Sequence, residues 1–348
     1  MDKKYIKRTF ILAKKSAGKT NPNPMVGAIV VKDGQVVGEG YHKGPGFAHA
    51  EINALNQAKT KARGATLYVN LEPCSHQGRT PPCTKSIIKA GIKKVVASML
   101  DPNSIVSGKE ELEKAGILVE VGMLEEEAKK LNEVYIKYMT TKLPFVILKS
   151  AITLDGKITT LEKSWITSNE SRRLVHRLRA EVDAILAGKN TILIDDPLLT
   201  ARIKGAKDPF KIIVDTKLET PLSAKVLKNP EKVIIATTKQ AQEHKIHSLK
   251  KLGAKILILP ESKKMVDIKE LMKELGEMEI TSILVEGGAQ MNASFLENGL
   301  VDKVFFFIAP KIAGNKQVSA VGDLTQTIRL KELTTRKIGN DILICGYV

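Results

Sequence analysis

His49, Glu51, Cys74 and Cys83 are the residues whose types and spacing most directly imply chemistry in this chain. One imidazole and two thiolates form a ligand set for Zn²⁺ that leaves a fourth position for water, and the metal draws the pKa of that water toward neutrality. Glu51, two residues after His49, is the carboxylate available to carry a proton from such a water to a leaving amine. The chemistry implied is hydrolytic deamination.

The pattern H-x-E followed by P-C-x-x-C marks zinc deaminases that act on nucleobases. This chain has His49-Ala50-Glu51 and Pro73-Cys74, but eight residues, Ser75-His76-Gln77-Gly78-Arg79-Thr80-Pro81-Pro82, separate Cys74 from Cys83. A purely structural zinc site would close the metal with a fourth protein ligand, which here would have to be His76 or His42. Cys345 lies in an apolar run near the C-terminus and reads as core, so the three cysteines do not make a disulfide framework.

A length of 348 residues is enough for about two domains, each able to bury a substantial core. No apolar run is long enough to span a bilayer and no secretory leader is evident, so a cytoplasmic protein without membrane partners is expected. Lys+Arg exceed Asp+Glu by 55 to 38, a net charge of +17 that points to acidic partners. Aromatic residues are only 4% of the chain, too few for the stacking surfaces of nucleic-acid binders, which favours small phosphorylated molecules.

Residues 5–17 have helical periodicity that Asn21-Pro22-Asn23-Pro24 breaks. Strands are predicted at 25–31 and 36–41 around a Lys32-Asp33-Gly34-Gln35 turn, and at 66–70, 94–98 and 117–121. Helices are predicted at 49–62, 84–90 and 106–115, and residues 123–139 read as one further charged helix. His49 and Glu51 then begin one helix and Cys74 leads toward another, where the partial positive charge of helix N-termini favours thiolates.

The stretch Thr140-Thr141-Lys142-Leu143-Pro144 reads as a linker, dividing the chain into domains 1–143 and 144–348. Beyond it, strands at 145–151, 184–187, 211–214, 232–236, 254–259, 282–285, 303–308 and 341–347 accompany helices at 168–179, 268–275 and 289–297. Both domains are therefore α/β. His176, His244 and His247 lie among polar helical residues and read as surface positions. Gly287-Gly288, between a strand and a helix, can present backbone amides to a phosphate. Neither a Walker loop nor a G-x-G-x-x-G fingerprint is present, so a nicotinamide cofactor would bind outside the Rossmann scheme.

Further motifs bring in a family. Asn21-Pro22-Asn23-Pro24-Met25-Val26-Gly27, Gly40-Tyr41-His42, the long cysteine gap and Asp101-Pro102-Asn103 resemble the deaminase half of the bifunctional deaminase-reductases of riboflavin biosynthesis. Leu154-Asp155-Gly156, Trp165-Ile166-Thr167, Asp195-Asp196-Pro197-Leu198-Leu199-Thr200-Ala201-Arg202, Glu286-Gly287-Gly288 and Ala309-Pro310 resemble the reductase half. The resemblance covers almost the whole chain.

It implies a cytidine-deaminase-like three-layer domain followed by a dihydrofolate-reductase-like domain. It also implies two reactions: deamination of 2,5-diamino-6-ribosylamino-4(3H)-pyrimidinone 5′-phosphate, then NADPH-dependent reduction of the ribosyl chain to a ribityl chain. Carried onto this sequence, His49, Cys74 and Cys83 hold Zn²⁺ and Glu51 is the acid/base, with Asn23, His42, His76, Arg79 and Asn103 toward the pyrimidine. In the second domain the resemblance puts Trp165, Thr167, Thr191, Asp195, Gly287 and Gly288 on the cofactor and Arg179, Leu199, Arg202 and Glu286 on the substrate. A homodimer or homotetramer is implied as well. The competing reading, a nucleic-acid base deaminase with an RNA-binding second domain, would also use the positive charge, but the cysteine gap and the ordered motifs of the second half oppose it.

Overall fold

The computed structural model describes residues 2–78, 81–162 and 165–348. It separates into two compact units, Met1–Lys142 and Leu143–Val348. Among the described residues, no helix is long and apolar enough to cross a membrane.

The first unit runs α1 (Lys3–Ala13), β1 (Gly27–Lys32), β2 (Gln35–Tyr41), α2 (Ala50–Ala58), β3 (Thr66–Val69), α3 (Cys83–Ala90), β4 (Lys94–Ala97), α4 (Gly108–Lys114), β5 (Leu118–Val121), α5 (Glu125–Leu131) and α6 (Glu133–Thr141). Its sheet has the order β2-β1-β3-β4-β5, with β1 antiparallel to both neighbours and β3, β4 and β5 parallel. Strand alternation assigns the two faces. Ala28, Val30, Leu67, Val69 and Val95 pack with α2 and α3, whereas Ile29, Val31, Tyr68 and Val96 pack with Tyr5, Ile6 and Leu12 of α1. The result is a helix-sheet-helix sandwich.

The α2 backbone lies directly on β2 because the facing strand residues are glycines. A Cβ on Gly38 would stand 2.1 Å from the Ala54 carbonyl oxygen, and one on Gly40 would stand 2.3 Å from that of Ala50. That approach fixes the height of the α2 N-terminus, where His49 and Glu51 sit. The single helix expected over 123–139 is instead two, broken at Asn132 (φ −110°, ψ 23°) between α5 and α6. Helical periodicity persists across the break, but the Asn132 side chain bonds the backbone of Met25 rather than facing solvent.

The second unit comprises β6 (Phe145–Thr153), α7 (Asn169–Glu181), β7 (Ala184–Gly188), α8 (Lys189–Asp195), β8 (Phe210–Val214), β9 (Val233–Thr237), α9 (Glu243–Leu252) and β10 (Lys255–Ile258). A small hairpin of β11 (Glu261–Ser262) and β12 (Met265–Val266) follows, then α10 (Ile268–Glu277), β13 (Ser282–Val285), α11 (Ala289–Glu297), β14 (Lys303–Ala309), β15 (Lys331–Ile338) and β16 (Asp341–Tyr347). The main sheet has the order β10-β9-β8-β7-β13-β6-β14-β16-β15, parallel from β10 through β14 and antiparallel beyond it. One face packs on α10 and α11, the other on α8 and α9. β15 was not expected from the sequence: seven of its eight residues are exposed, so it carries no hydrophobic alternation to read.

The glycine contact yields a prediction. Gly40→Ala forces its new methyl group against the α2 backbone, so the first unit loses about 1–3 kcal/mol of stability, and displacement of the α2 N-terminus lowers zinc retention. Denaturant unfolding and metal analysis of the purified variant check both effects.

Candidate active sites

In the first unit, His49, Cys74 and Cys83 converge, their ligand atoms all within 4.8 Å of one another. His49 Nδ1 lies 3.4 Å from Cys74 Sγ and 3.3 Å from Cys83 Sγ. Tetrahedral zinc with bonds of about 2.0–2.3 Å separates its ligands by roughly 3.5 Å, so these residues fit the ion. His49 is the N-cap of α2 and Cys83 opens α3, so two helix N-termini meet here. The Cys83 amide points at Cys74 Sγ from 3.4 Å. Hydrogen bonding from Cys83 lowers the Cys74 pKa, as do the His49 ring and that amide, and Cys74 is accordingly the more acidic thiol of the pair.

Glu51 is buried beside the ligands. Burial and the charge of Cys74 push its carboxyl up to about 7, while His49 works in the opposite direction. A carboxyl near neutrality can both accept and release a proton at physiological pH. His42 stands edge-on to His49 at 5.2 Å between ring centroids. Its Nε2 faces Asn23 Nδ2 at 3.1 Å and its Nδ1 faces the Ala48 carbonyl at 3.4 Å. A neutral ring that donates from Nδ1 and accepts at Nε2 satisfies both contacts, and burial lowers its pKa in the same sense.

Asn103 follows Asp101, whose Oδ1 accepts from the Asn103 amide at 2.9 Å. His76 Nδ1 is shielded from solvent and, among the described residues, has no hydrogen-bond partner. Arg79 lies outside the described residues. Two positioning residues escaped the sequence analysis. Glu72 accepts from the amides of Asp101 (3.0 Å) and Lys109 (2.7 Å), tying the Cys74 segment to the Asn103 loop. Asn70 donates to the Met25 carbonyl (2.9 Å) and accepts from the Gly27 amide (2.7 Å), holding the chain that carries Asn23.

In the second unit, Glu286 follows β13, between the parallel strands β6 and β7. Ligand clefts of α/β sheets open at such carboxyl ends. Arg179 Nε and Nη2 bond the two Glu286 oxygens at 2.6 and 3.0 Å, and Lys149 Nζ from β6 lies 3.3 Å from Oε2. Burial alone would raise the Glu286 carboxyl, but the Lys149 and Arg179 charges and hydrogen bonds outweigh it and hold the group at about 2. The remaining Arg179 nitrogen, Nη1, donates to the Thr200 carbonyl at 3.2 Å. The fork expected on a phosphate is thus engaged by the protein, whereas Arg202 is exposed.

Asp196, Leu199 and Arg202 all have positive φ, at 41°, 48° and 53°. Such concentrated backbone strain in non-glycine residues is typical of functional loops. Leu199 is itself a core residue, leaving only its backbone to face a ligand. Gly287 admits no side chain, since a Cβ would meet Met291 Cβ at 2.5 Å, and Gly288 starts α11 with no side chain capping its amides. Thr191 and Asp195 lie on α8, immediately after β7. Trp165 is exposed, with the Arg172 guanidinium 4.5 Å from its ring centroid. Thr167 precedes the α7 N-cap Ser168, about 18 Å along that helix from Arg179. Among the described residues, no hydrogen bond or ring contact joins Trp165 or Thr167 to the Glu286 cluster.

His176 corrects the sequence analysis. It is half-buried, with Nδ1 shielded and without a hydrogen-bond partner among the described residues, and burial followed by the Arg179 and Arg202 charges lowers its pKa. Its position three residues before Arg179 puts both on one helix face, a signal available from the sequence. Lys149 also left a signal, as the single charge in the apolar run Phe145–Thr153.

Comparison with known proteins matches both units. Residues 1–99 match the cytidine and deoxycytidylate deaminase zinc-binding region, and residues 144–344 match the RibD C-terminal domain. The chain is 49% identical to the riboflavin biosynthesis protein RibD of Aquifex aeolicus and 38% identical to that of Escherichia coli, each over 99% of this chain and 98% of the relative. A solved structure of Acinetobacter baumannii RibD superposes with a TM-score of 0.91 at 36% identity, covering 99% of this chain and 98% of that one. A diaminohydroxyphosphoribosylaminopyrimidine deaminase/5-amino-6-(5-phosphoribosylamino)uracil reductase from Thermotoga maritima gives 0.88 at 37% identity with the same coverage.

The Glu286 cluster has a stability signature. Its folded-state pKa is below the ordinary 4.5, so its contribution is fully present above that value and is lost as pH falls from there toward 2. Glu286→Gln removes this acid-sensitive component and leaves Lys149 and Arg179 buried without an anion, costing about 3–5 kcal/mol at neutral pH. Unfolding free energies of both proteins, measured from pH 7 down to 2.5, check the size and the window.

Proposed function

The chain belongs to the RibD family of bifunctional riboflavin-biosynthesis deaminase-reductases, and from that membership we propose which residues carry its two reactions. The first unit is a cytidine-deaminase-like zinc deaminase and the second a dihydrofolate-reductase-like reductase. The first converts 2,5-diamino-6-ribosylamino-4(3H)-pyrimidinone 5′-phosphate to 5-amino-6-(5-phosphoribosylamino)uracil; the second reduces that product to its ribityl form. A nucleic-acid base deaminase would leave the reductase match of residues 144–344 without an explanation.

The observation that carries the deaminase assignment is the His49, Cys74 and Cys83 cluster with buried Glu51 beside it. These three residues hold zinc, which when bound acidifies water and so provides a nucleophile at neutral pH. Glu51 takes up the proton released on attack and delivers it to the departing 2-amino group. Asn23 and Asn103 hold the pyrimidine by hydrogen bonds from opposite loops, with His42, His76 and Arg79 completing the substrate contacts.

In the reductase, NADPH supplies the hydride when bound. Gly287, Gly288 and the first amides of α11 cradle an anionic group of the cofactor, with Thr191, Asp195, Trp165 and Thr167 along the rest of its length. Arg202 takes the substrate phosphate, since its guanidinium is exposed, and the Leu199 backbone borders the same ligand. Arg179 works through Glu286, holding a fixed anion that accepts hydrogen bonds from sugar hydroxyls. All three cysteines are free, as suits the reducing conditions of the cytoplasm, where we take the protein to act on small ribotides as a homodimer or homotetramer.

Glu51→Gln keeps zinc but lowers deamination by about 10²- to 10⁴-fold, and leaves reduction of supplied deaminated intermediate unchanged. Metal analysis with separate assays of ammonia release and NADPH oxidation reads all three quantities. A metal-free or nearly active variant contradicts the role of Glu51. Arg202→Ala gives the converse pattern, reduction weakened about tenfold or more through KM with ammonia release intact. Running the reductase assay with NADH in place of NADPH tests the cofactor assignment.

A further inference from the structure

The helix break at Asn132 places two side chains, the α6 N-cap Asn132 and Tyr135 of α6, on the two loops assigned to the pyrimidine. Asn132 Oδ1 accepts from the Met25 amide at 2.9 Å, and its Nδ2 donates to the Met25 carbonyl at 3.1 Å. This two-point grip pins the backbone two residues from Asn23. Asn70 shares the same carbonyl at 2.9 Å, and both asparagines are buried. Three residues further along, and so on the same face of the helix, Tyr135 donates from its hydroxyl to Asp101 Oδ1 at 2.9 Å. That oxygen also accepts the Asn103 amide. One turn of one helix therefore touches both loops.

We infer that Asn132 and Tyr135 are positioning residues of the deaminase, setting the spacing between Asn23 and Asn103. The inference rests on the proposal that those two asparagines bind substrate. Neither residue belongs to the zinc cluster, and each acts through a loop whose conformation is otherwise set by a few hydrogen bonds. Asn23 in turn bonds His42, which stands against His49. A shift of the Met25 backbone is thus passed to the substrate side of the site, while the ligands stay on α2, α3 and the Glu72-anchored segment.

The test uses the full-length protein, with Tyr135→Phe and Asn132→Ala beside Asn23→Ala and Asn103→Ala as references. Zinc content, reductase rate, and kcat and KM for ammonia release from the diaminopyrimidine ribotide are measured for each. Tyr135→Phe and Asn132→Ala are expected to raise KM about tenfold, with kcat changed far less and with zinc and reduction at wild-type levels. Tyr135→Phe deletes only a hydroxyl and decides the question even where Asn132→Ala fails to fold. If Asn23→Ala and Asn103→Ala raise KM while Tyr135→Phe does not, the positioning role is wrong and the substrate assignment stands. Zinc loss, or a fall in kcat with KM unchanged, in Tyr135→Phe also overturns it, by showing a general structural role. An unchanged KM in both reference variants removes the substrate assignment and this inference with it.

Discussion

Taking a carboxylate out of water costs several kcal/mol unless cations or hydrogen-bond donors replace the lost hydration, and the two units meet that cost in opposite ways. Glu286 receives two cations, a bidentate guanidinium and an ammonium, and is held ionised down to about pH 2. Glu51 lies against thiols and a single imidazole, and its carboxyl is pushed up to about 7. The first is a fixed anion. The second is a group that can change its protonation during a reaction, with a bound divalent cation as the counterweight that favours its charged form. Around these two carboxylates the rest of each unit is arranged as support.

That support has a common form, an element end brought close to a polar cluster. In the deaminase unit, Gly38 and Gly40 let α2 settle onto β2, so the helix N-terminus reaches the cysteines. Glu72 fastens the strand-to-helix connection that carries Cys74. In the reductase unit the parallel strands β6, β7 and β13 end side by side, and their loops supply Glu286, the glycine pair and the strained segment around Leu199. α7 is held at its other end by Asp341, which accepts from the Ser168 amide and from the hydroxyls of Ser168 and Ser171 at 2.6–2.8 Å. A helix anchored this way delivers Arg179 as a rigid group.

Asn132 illustrates how one polar side chain can redirect a secondary-structure element. The sequence around it has helical character on both sides, but the chain breaks at Asn132, and from the break its amide gives the Met25 backbone two hydrogen bonds. Buried main-chain donors and acceptors left unpaired cost more than a helix break. The break therefore supplies partners to a segment that β1 does not reach.

Residue type and spacing alone determined much of this protein. That His49, Cys74, Cys83 and Glu51 belong together and that both halves are α/β was readable because a metal-binding set needs particular atoms and because buried strands and amphipathic helices leave periodic traces. Strands such as Ser282–Val285 and Asp341–Tyr347 were legible for the latter reason. Only the tertiary structure decided that Arg179 faces Glu286, that Leu199 is core, that His176 is half-buried, and that Asn132 and Tyr135 reach loops far away in sequence. Those assignments depend on partners 34 to 107 residues distant. A polar side chain carries no local mark of which distant backbone or charge will satisfy it, and that choice is made only when the packed core brings the two together.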